Sequence, residues 1–304
     1  MTTADTLRRD GARTLHDAGV FSASHDAAAL LAYVLDVEPG RLLLVDEVSD
    51  DDIVRFEAAL ARRAAREPLQ HITGRAWFDG RELAVGPGVF VPRPETELIV
   101  EWVSTRLGQR GGELGRRGGA TLRVVDLCSG SGALALALVG RLPNAEVIAV
   151  EKSVAALAYL RRNAAGSDVL VVPGDVTDPT AMAEVLGTCD VIVANPPYVP
   201  VASPVSAEVR HDPAEAVFSG ATGMDVIDAM TPIVADALTP GGLFAVEHDD
   251  ETASAVVDAL TIDGRFRDIV AHADLAGRPR FVTAVRSSGD AGAGADLDRA
   301  RMEQ

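Results

Sequence analysis

The stretch Leu122-Arg-Val-Val-Asp126-Leu-Cys-Ser-Gly130-Ser-Gly132-Ala-Leu-Ala-Leu-Ala-Leu-Val139 decides the fold. Strand formers over Leu122–Leu127 pass through a glycine turn into a run of helix formers, Ala133–Leu142. A strand that is apolar on both faces and followed by a helix belongs to a parallel sheet covered by helices. The alternation continues downstream. Strand-like Glu146–Val150, Val169–Val172, Asp190–Ala194 and Leu243–Glu247 are interleaved with helix-like Val154–Ala164, Thr180–Leu186, Met224–Ala237 and Ser254–Leu260. The last two strands, Arg267–Ala271 and Arg280–Val285, lie too close together for a crossover helix and are expected to pair antiparallel. The expected class is α/β, a doubly wound Rossmann-like sheet closed by a C-terminal antiparallel hairpin.

Upstream, residues 1–72 show helical periodicity and few strand formers, and read as a small helical bundle, too small to be an obvious enzyme alone. Asp50-Asp51-Asp52 before Ile53 marks a helix start, with carboxylates at the positive end of the dipole. Residues 73–92 carry Trp77 and Phe78 beside Asp79-Gly80 and read as a linking β-hairpin. Residues 93–286 form the α/β domain, opened by a helix past Pro94. The glycine- and arginine-rich stretch Gly108–Gly119 is expected to be a solvated loop. The Ser/Gly/Ala/Asp-rich residues 287–304 read as a disordered tail.

Composition narrows the function. In 304 residues, 28 Lys and Arg face 45 Asp and Glu, a net charge of −17. Affinity for a phosphate backbone comes from clustered cations, so this balance argues against nucleic acid and for a protein or small-molecule partner. Cys128 and Cys189 stand far apart, which excludes a disulfide framework and a thiolate zinc site. The N-terminus carries no signal-peptide pattern and no apolar run approaches the roughly 20 residues that span a bilayer, so a cytoplasmic protein is expected. The six histidines are scattered, and none is spaced as a metal ligand. Oligomeric state leaves no mark in the sequence, and a monomer is the default.

The site is expected at the carboxyl edge of the sheet. Gly130 and Gly132 in the turn Cys128-Ser129-Gly130-Ser131-Gly132 allow close approach of a ligand, but the third glycine of a dinucleotide fingerprint is missing. Glu151, at the end of the second strand of the domain, can accept both hydroxyls of a ribose. Asp175, after the third, is placed to meet an adenine amino group. Together they favour a nucleoside ligand without a diphosphate, such as S-adenosylmethionine.

After the fourth strand comes Asn195-Pro196-Pro197-Tyr198. Two prolines fix the backbone and leave carbonyls that only accept. The Asn195 side-chain oxygen and the Pro196 carbonyl can both accept from one NH2 group, while Tyr198 offers a face to a planar group. That suits methyl transfer to a planar amine or amide nitrogen, with Asn195, Pro196 and Tyr198 as the catalytic set.

These residues resemble the HemK/PrmC family, the peptide chain release factor N5-glutamine methyltransferases, over roughly residues 5–286. The resemblance is carried by Asn195-Pro-Pro-Tyr198, Pro68-Leu-Gln-His-Ile-Thr-Gly74 and Val89-Phe-Val-Pro-Arg93-Pro-Glu-Thr-Glu97. Glu247-His248 and Asp274-Leu-Ala-Gly-Arg278-Pro-Arg280 add to it. It implies a class I fold in which Cys128 to Gly132, Glu151, Asp175, Val176 and Asn195 bind S-adenosylmethionine, with S-adenosylhomocysteine as product. It also implies that Arg93, Pro94, Glu95 and Asn195 to Tyr198 hold the glutamine of a Gly-Gly-Gln tripeptide in a release factor, gripped elsewhere by the helical domain. Cys128 replaces the family's usual glycine and is expected to serve there at negative φ. Val176 stands where some relatives carry an aromatic. A glutamine methyltransferase of a ribosomal protein shares nearly every motif. An adenine-N6 methyltransferase of nucleic acid shares Asn-Pro-Pro-Tyr but predicts a basic groove. A non-catalytic scaffold and a nicotinamide dehydrogenase fit the intact motifs less well.

Overall fold

A computed structural model describes residues 3–109 and 121–288. Most of the Gly108–Gly119 stretch and of the 287–304 tail therefore lies outside the described residues. In chain order the helices are α1 (Ala4–Asp17), α2 (Ala23–Leu35), α3 (Asp50–Ala64), α4 (Leu69–Thr73), α5 (Glu97–Gln109), α6 (Ala133–Arg141), α7 (Val154–Ala164), α8 (Pro179–Leu186), α9 (Ala214–Val217), α10 (Asp225–Ala237) and α11 (Ala253–Asp263). The strands are β1 (Arg75–Phe78), β2 (Arg81–Ala84), β3 (Leu122–Leu127), β4 (Ala145–Glu151), β5 (Val169–Pro173), β6 (Cys189–Ala194), β7 (Leu238–Glu247), β8 (Phe266–Ala273) and β9 (Pro279–Arg286).

The chain divides into two compact units. One comprises residues up to Pro92 together with Ser203–Val217, and the other Arg93–Ala202 together with Phe218 onward. The first unit packs Leu15, Leu30, Leu31, Phe56 and Leu60 into its own core. Its α3 starts where the aspartates indicated, with the Ser49 side chain accepting from the Asp52 amide. The reading of 93–286 as one continuous domain gave no hint that residues 203–217 group with the helices. Ion pairs show why they do. Arg63, buried and bonded to Asp26 at 2.8 Å, also reaches Glu208 at 3.1 Å. Arg66 meets the same carboxylate at 2.6 Å. Burial alone would raise the Glu208 pKa, but these guanidinium contacts hold it at about 2. Asp212, also buried, accepts from the Val91 amide.

The second unit is built on a seven-stranded sheet in the order β5-β4-β3-β6-β7-β9-β8. The first five of these strands run parallel, and β9 lies antiparallel to both β7 and β8. This is the doubly wound sheet with a terminal antiparallel pair. Strand β7 begins at Leu238 rather than Leu243, because Leu238 pairs with Cys189 across an irregularity that the Thr-Pro-Gly-Gly sequence had hidden. The chain leaves β3 toward β4 on one side and returns to β6 on the other. A crevice opens at such a switch point, outside the carboxyl ends of the strands.

Candidate active site

Both expected motifs flank that crevice: the glycine turn follows β3 and Asn195 follows β6. The turn is tightly wound. Residues 128, 130 and 132 all take left-handed conformations, with φ of 58°, 54° and 87°. For Cys128 this overturns the expectation of negative φ. It sits in a left-handed conformation that only glycine adopts without steric cost. Burial, then the nearby Glu151, Asp126 and Asp175 carboxylates, pushes the Cys128 thiol above its ordinary pKa, and the partly buried side chain packs against the core. Gly132 is required twice over, since a Cβ there would lie 2.6 Å from Leu160 Cδ1.

Glu151 holds the turn. Its Oε2 accepts from the Gly130 amide at 2.7 Å, and its Oε1 accepts from Lys152 and Ser153 amides at 2.8 and 2.7 Å. From the other side the Asn163 amide donates to Ser131 O at 2.9 Å. Asp175 pairs with Lys152, the only lysine of the chain, at 2.7 Å and accepts from the Thr177 amide and hydroxyl. Burial alone would raise its pKa, but these partners hold it at about 2. The Val176 side chain is buried in the core of the unit.

At the second motif Asn195 and Tyr198 are half-buried and Pro196 is buried. Asn195 Nδ2 donates to Thr96 Oγ1 at 3.3 Å, Thr96 Oγ1 donates to Glu247 Oε2 at 2.6 Å, and the Tyr198 hydroxyl donates to Glu247 Oε1 at 2.9 Å. Burial raises the Glu247 pKa, and the Glu95 charge adds to this. Burial and Glu247 together push the Tyr198 phenol well above its usual range, an effect that the Arg93 charge opposes. Arg93 leads into the 3-10 turn Pro94–Thr96 before α5, which delivers Thr96 to this cluster. The loop after the motif is tied back by the Ser219 amide on Val199 O at 2.9 Å. Gly223, at φ 81°, passes so close that a Cβ would lie 2.2 Å from Tyr198 O.

The sequence reading assigned no role to Thr96 or Glu247. Their signal was present, since each belongs to a quoted motif and Glu247 ends a strand at the carboxyl edge, but nothing in one dimension joins them. His248 is fully buried, with Nδ1 against Asp249 O at 2.7 Å, and burial lowers its pKa. Among the described residues, no group of His, Cys, Asp and Glu is placed to hold a metal ion. None of the described helices is long and apolar enough to cross a membrane.

Comparison with known proteins fits this geometry. The family model described as the PrmC N-terminal domain matches residues 6–74, and the one described as the methyltransferase small domain matches 113–212. A release factor glutamine methyltransferase of Mycolicibacterium smegmatis is 47% identical over 287 residues, covering 94% of this chain and 99% of that protein. The chain belongs to the release factor glutamine methyltransferase family. A second such methyltransferase, from Mycobacterium tuberculosis, is 46% identical over 280 residues, covering 90% of this chain and 89% of its own. A more distant relative, the 4-amino-L-phenylalanine/4-methylamino-L-phenylalanine methyltransferase of Streptomyces pristinaespiralis, is 39% identical over 249 residues, covering 81% of this chain and 82% of its own.

Membership of this methyltransferase family implies S-adenosylmethionine, and the crevice fits it. A Cβ at position 130 would point into open space, which leaves room against the backbone of the turn. Beside the turn, the buried Asp126 Oδ1 has no hydrogen-bond partner among the described residues. The carboxylates of Glu151 and Asp175 supply acceptors of the kind that ribose hydroxyls and an adenine amino group require.

Proposed function

We propose that this enzyme transfers the methyl group of S-adenosylmethionine to the side-chain amide nitrogen of the glutamine in the Gly-Gly-Gln motif of peptide chain release factors. The observation that carries the reading is the orientation of Asn195. With Nδ2 given to Thr96, its Oδ1 is left to accept from a substrate, and the next residue, Pro196, adds a carbonyl that can only accept. A primary amide presents two N–H donors to that pair, and the half-buried Tyr198 ring offers a face to its plane.

In this reading Cys128 to Gly132, Glu151, Asp175, the Val176 backbone and Asn195 hold the cofactor, and Arg93, Pro94 and Glu95 line the acceptor side. The bound cofactor supplies an electrophilic methyl group. An amide nitrogen is a weak nucleophile because its lone pair is delocalised, so the chain's contribution is placement and charge. Holding both N–H groups fixes the nitrogen in line, which contributes several kcal/mol. The two acceptors also stabilise positive charge growing on nitrogen, an effect of roughly 3–4 kcal/mol by analogy with oxyanion-hole donors. Once methylated, the nitrogen is strongly acidic and releases one proton to solvent, so no base is needed before transfer. The Streptomyces relative is named for an arylamine, another NH2 on a conjugated plane. The helical unit would grip the release factor outside the tripeptide, in the cytoplasm where translation ends. The net charge of −17 disfavours a nucleic-acid acceptor.

The test is transfer of labelled methyl from S-adenosylmethionine to a purified release factor, beside a factor whose Gly-Gly-Gln glutamine is changed to alanine. Label on the first alone is expected. Label on neither, with cofactor binding intact, overturns the reading in favour of a ribosomal-protein or nucleic-acid acceptor.

A further inference from the structure

We propose that Glu247 and Thr96 are positioning residues whose hydrogen-bond polarity dictates which end of the Asn195 side chain faces the substrate. The inference rests on the function proposed above, in which Asn195 Oδ1 receives the acceptor NH2. An asparagine amide is nearly symmetric in shape, so packing alone barely distinguishes oxygen from nitrogen. Turned the wrong way, Asn195 would set its own NH2 against the substrate NH2, donor against donor.

The three residues come from separate elements: Thr96 from the turn before α5, Asn195 from the end of β6, and Glu247 from the end of β7. Thr96 and Glu247 are each 3% exposed, so water does not compete for these bonds. Polarity passes along the chain in one direction. Glu247 accepts at both oxygens, from Tyr198 at Oε1 and from Thr96 at Oε2, so Thr96 spends its single hydroxyl hydrogen on Oε2. Thr96 Oγ1 can then only accept from Asn195, which commits Nδ2 to that contact and Oδ1 to the substrate. The second oxygen of the same carboxylate accepts from Tyr198, so one group sets both the acceptor and the flanking ring. Groups behind a functional side chain that fix its orientation typically change activity about 10- to 100-fold when removed.

Thr96→Val removes the hydroxyl at nearly constant shape, Thr96→Ser retains it, and Glu247→Gln replaces one acceptor oxygen with a donor. With release factor as substrate, kcat is expected to fall about 10- to 100-fold in Thr96→Val and Glu247→Gln, with cofactor affinity unchanged and Thr96→Ser near wild type. A merely structural role would lower thermal stability without splitting the valine and serine variants in kcat. The Asn195 side-chain amide, identified in NMR as the pair missing from Asn195→Ala, supplies a readout independent of substrate. One of its protons is expected to exchange slowly in wild type and Thr96→Ser, and to lose that protection in Thr96→Val. An unchanged amide pair in Thr96→Val overturns the relay even if Glu247→Gln does not fold. If wild type labels no release factor while the amide pair behaves as expected, the relay stands and the substrate assignment falls.

Discussion

The Gly130 amide donates to Glu151 Oε2 across 2.7 Å, so the glycine turn after β3 and the acid at the end of β4 form one structural unit. Because the same carboxylate also receives the Lys152 and Ser153 amides, its removal does more than delete the proposed ribose acceptor. Glu151→Ala is expected to weaken S-adenosylmethionine binding by at least about 2 kcal/mol, the scale of one hydrogen bond to a charged group. Glu151→Gln should lose a similar amount, since it sets an NH2 against a backbone N–H. Calorimetric titration measures both, and wild-type affinity in either variant would remove Glu151 from the cofactor site.

Cys128 at φ 58° occupies a conformation that costs an L-residue about 1–2 kcal/mol. Cys128→Gly relieves that strain but frees the unfolded chain by about 0.5–1 kcal/mol. The expected net result is a gain of up to about 1 kcal/mol in urea-unfolding stability, with methyl transfer retained. A loss of stability would show that packing of the sulfur outweighs the backbone strain.

Much of this architecture is legible in the sequence, and what is not has a common cause. Strands such as Val147–Val150 announce themselves because burial on both faces leaves an unbroken apolar run. The turn, Glu151 and Asn195 stand out in the sequence because each sits at a strand end, where chain order alone points to a candidate site. Missing were relationships between residues remote in sequence. Thr96 and Glu247 are 151 positions apart, and Arg63 and Glu208 are 145 apart. The segment around Glu208 reads as a polar loop until its carboxylate is seen between two arginines. The left-handed turn at Cys128 was hidden differently, since a small side chain gives no sign that its backbone is strained.

Asp126 ties stability to pH. Burial raises its pKa from 3.8 to about 7, against the opposing Ser129 and Ala135 hydrogen bonds. A carboxyl with a raised folded pKa imposes no penalty below pH 3.8, where both states are protonated. Between 3.8 and about 7 the unfolded chain ionises while the native state stays neutral, so stability falls as pH rises and then levels off. The span amounts to a few kcal/mol. Asp126→Asn keeps an oxygen for the Ala135 amide, bonded at 3.1 Å in the native chain, and should flatten this slope. Urea unfolding of both proteins at pH 5 and pH 8 decides the matter, and parallel profiles would show that Asp126 ionises normally.

Asn195 separates chemistry from binding. In the proposed reading its Oδ1 receives the acceptor amide, a contact that gains strength as positive charge develops on nitrogen, and the glycine turn and Glu151 hold most of the cofactor. Asn195→Ala should therefore lower kcat by about 100-fold or more while cofactor affinity changes far less. Asn195→Asp sharpens the test. A carboxylate offers two acceptors and no donor, so it would confront Thr96, which already gives its hydrogen to Glu247, acceptor against acceptor. This variant should lose activity despite retaining an oxygen for the substrate. If its single-turnover rate matched wild type, only an acceptor atom at position 195 would matter, and the orientation of the amide would carry no weight in catalysis.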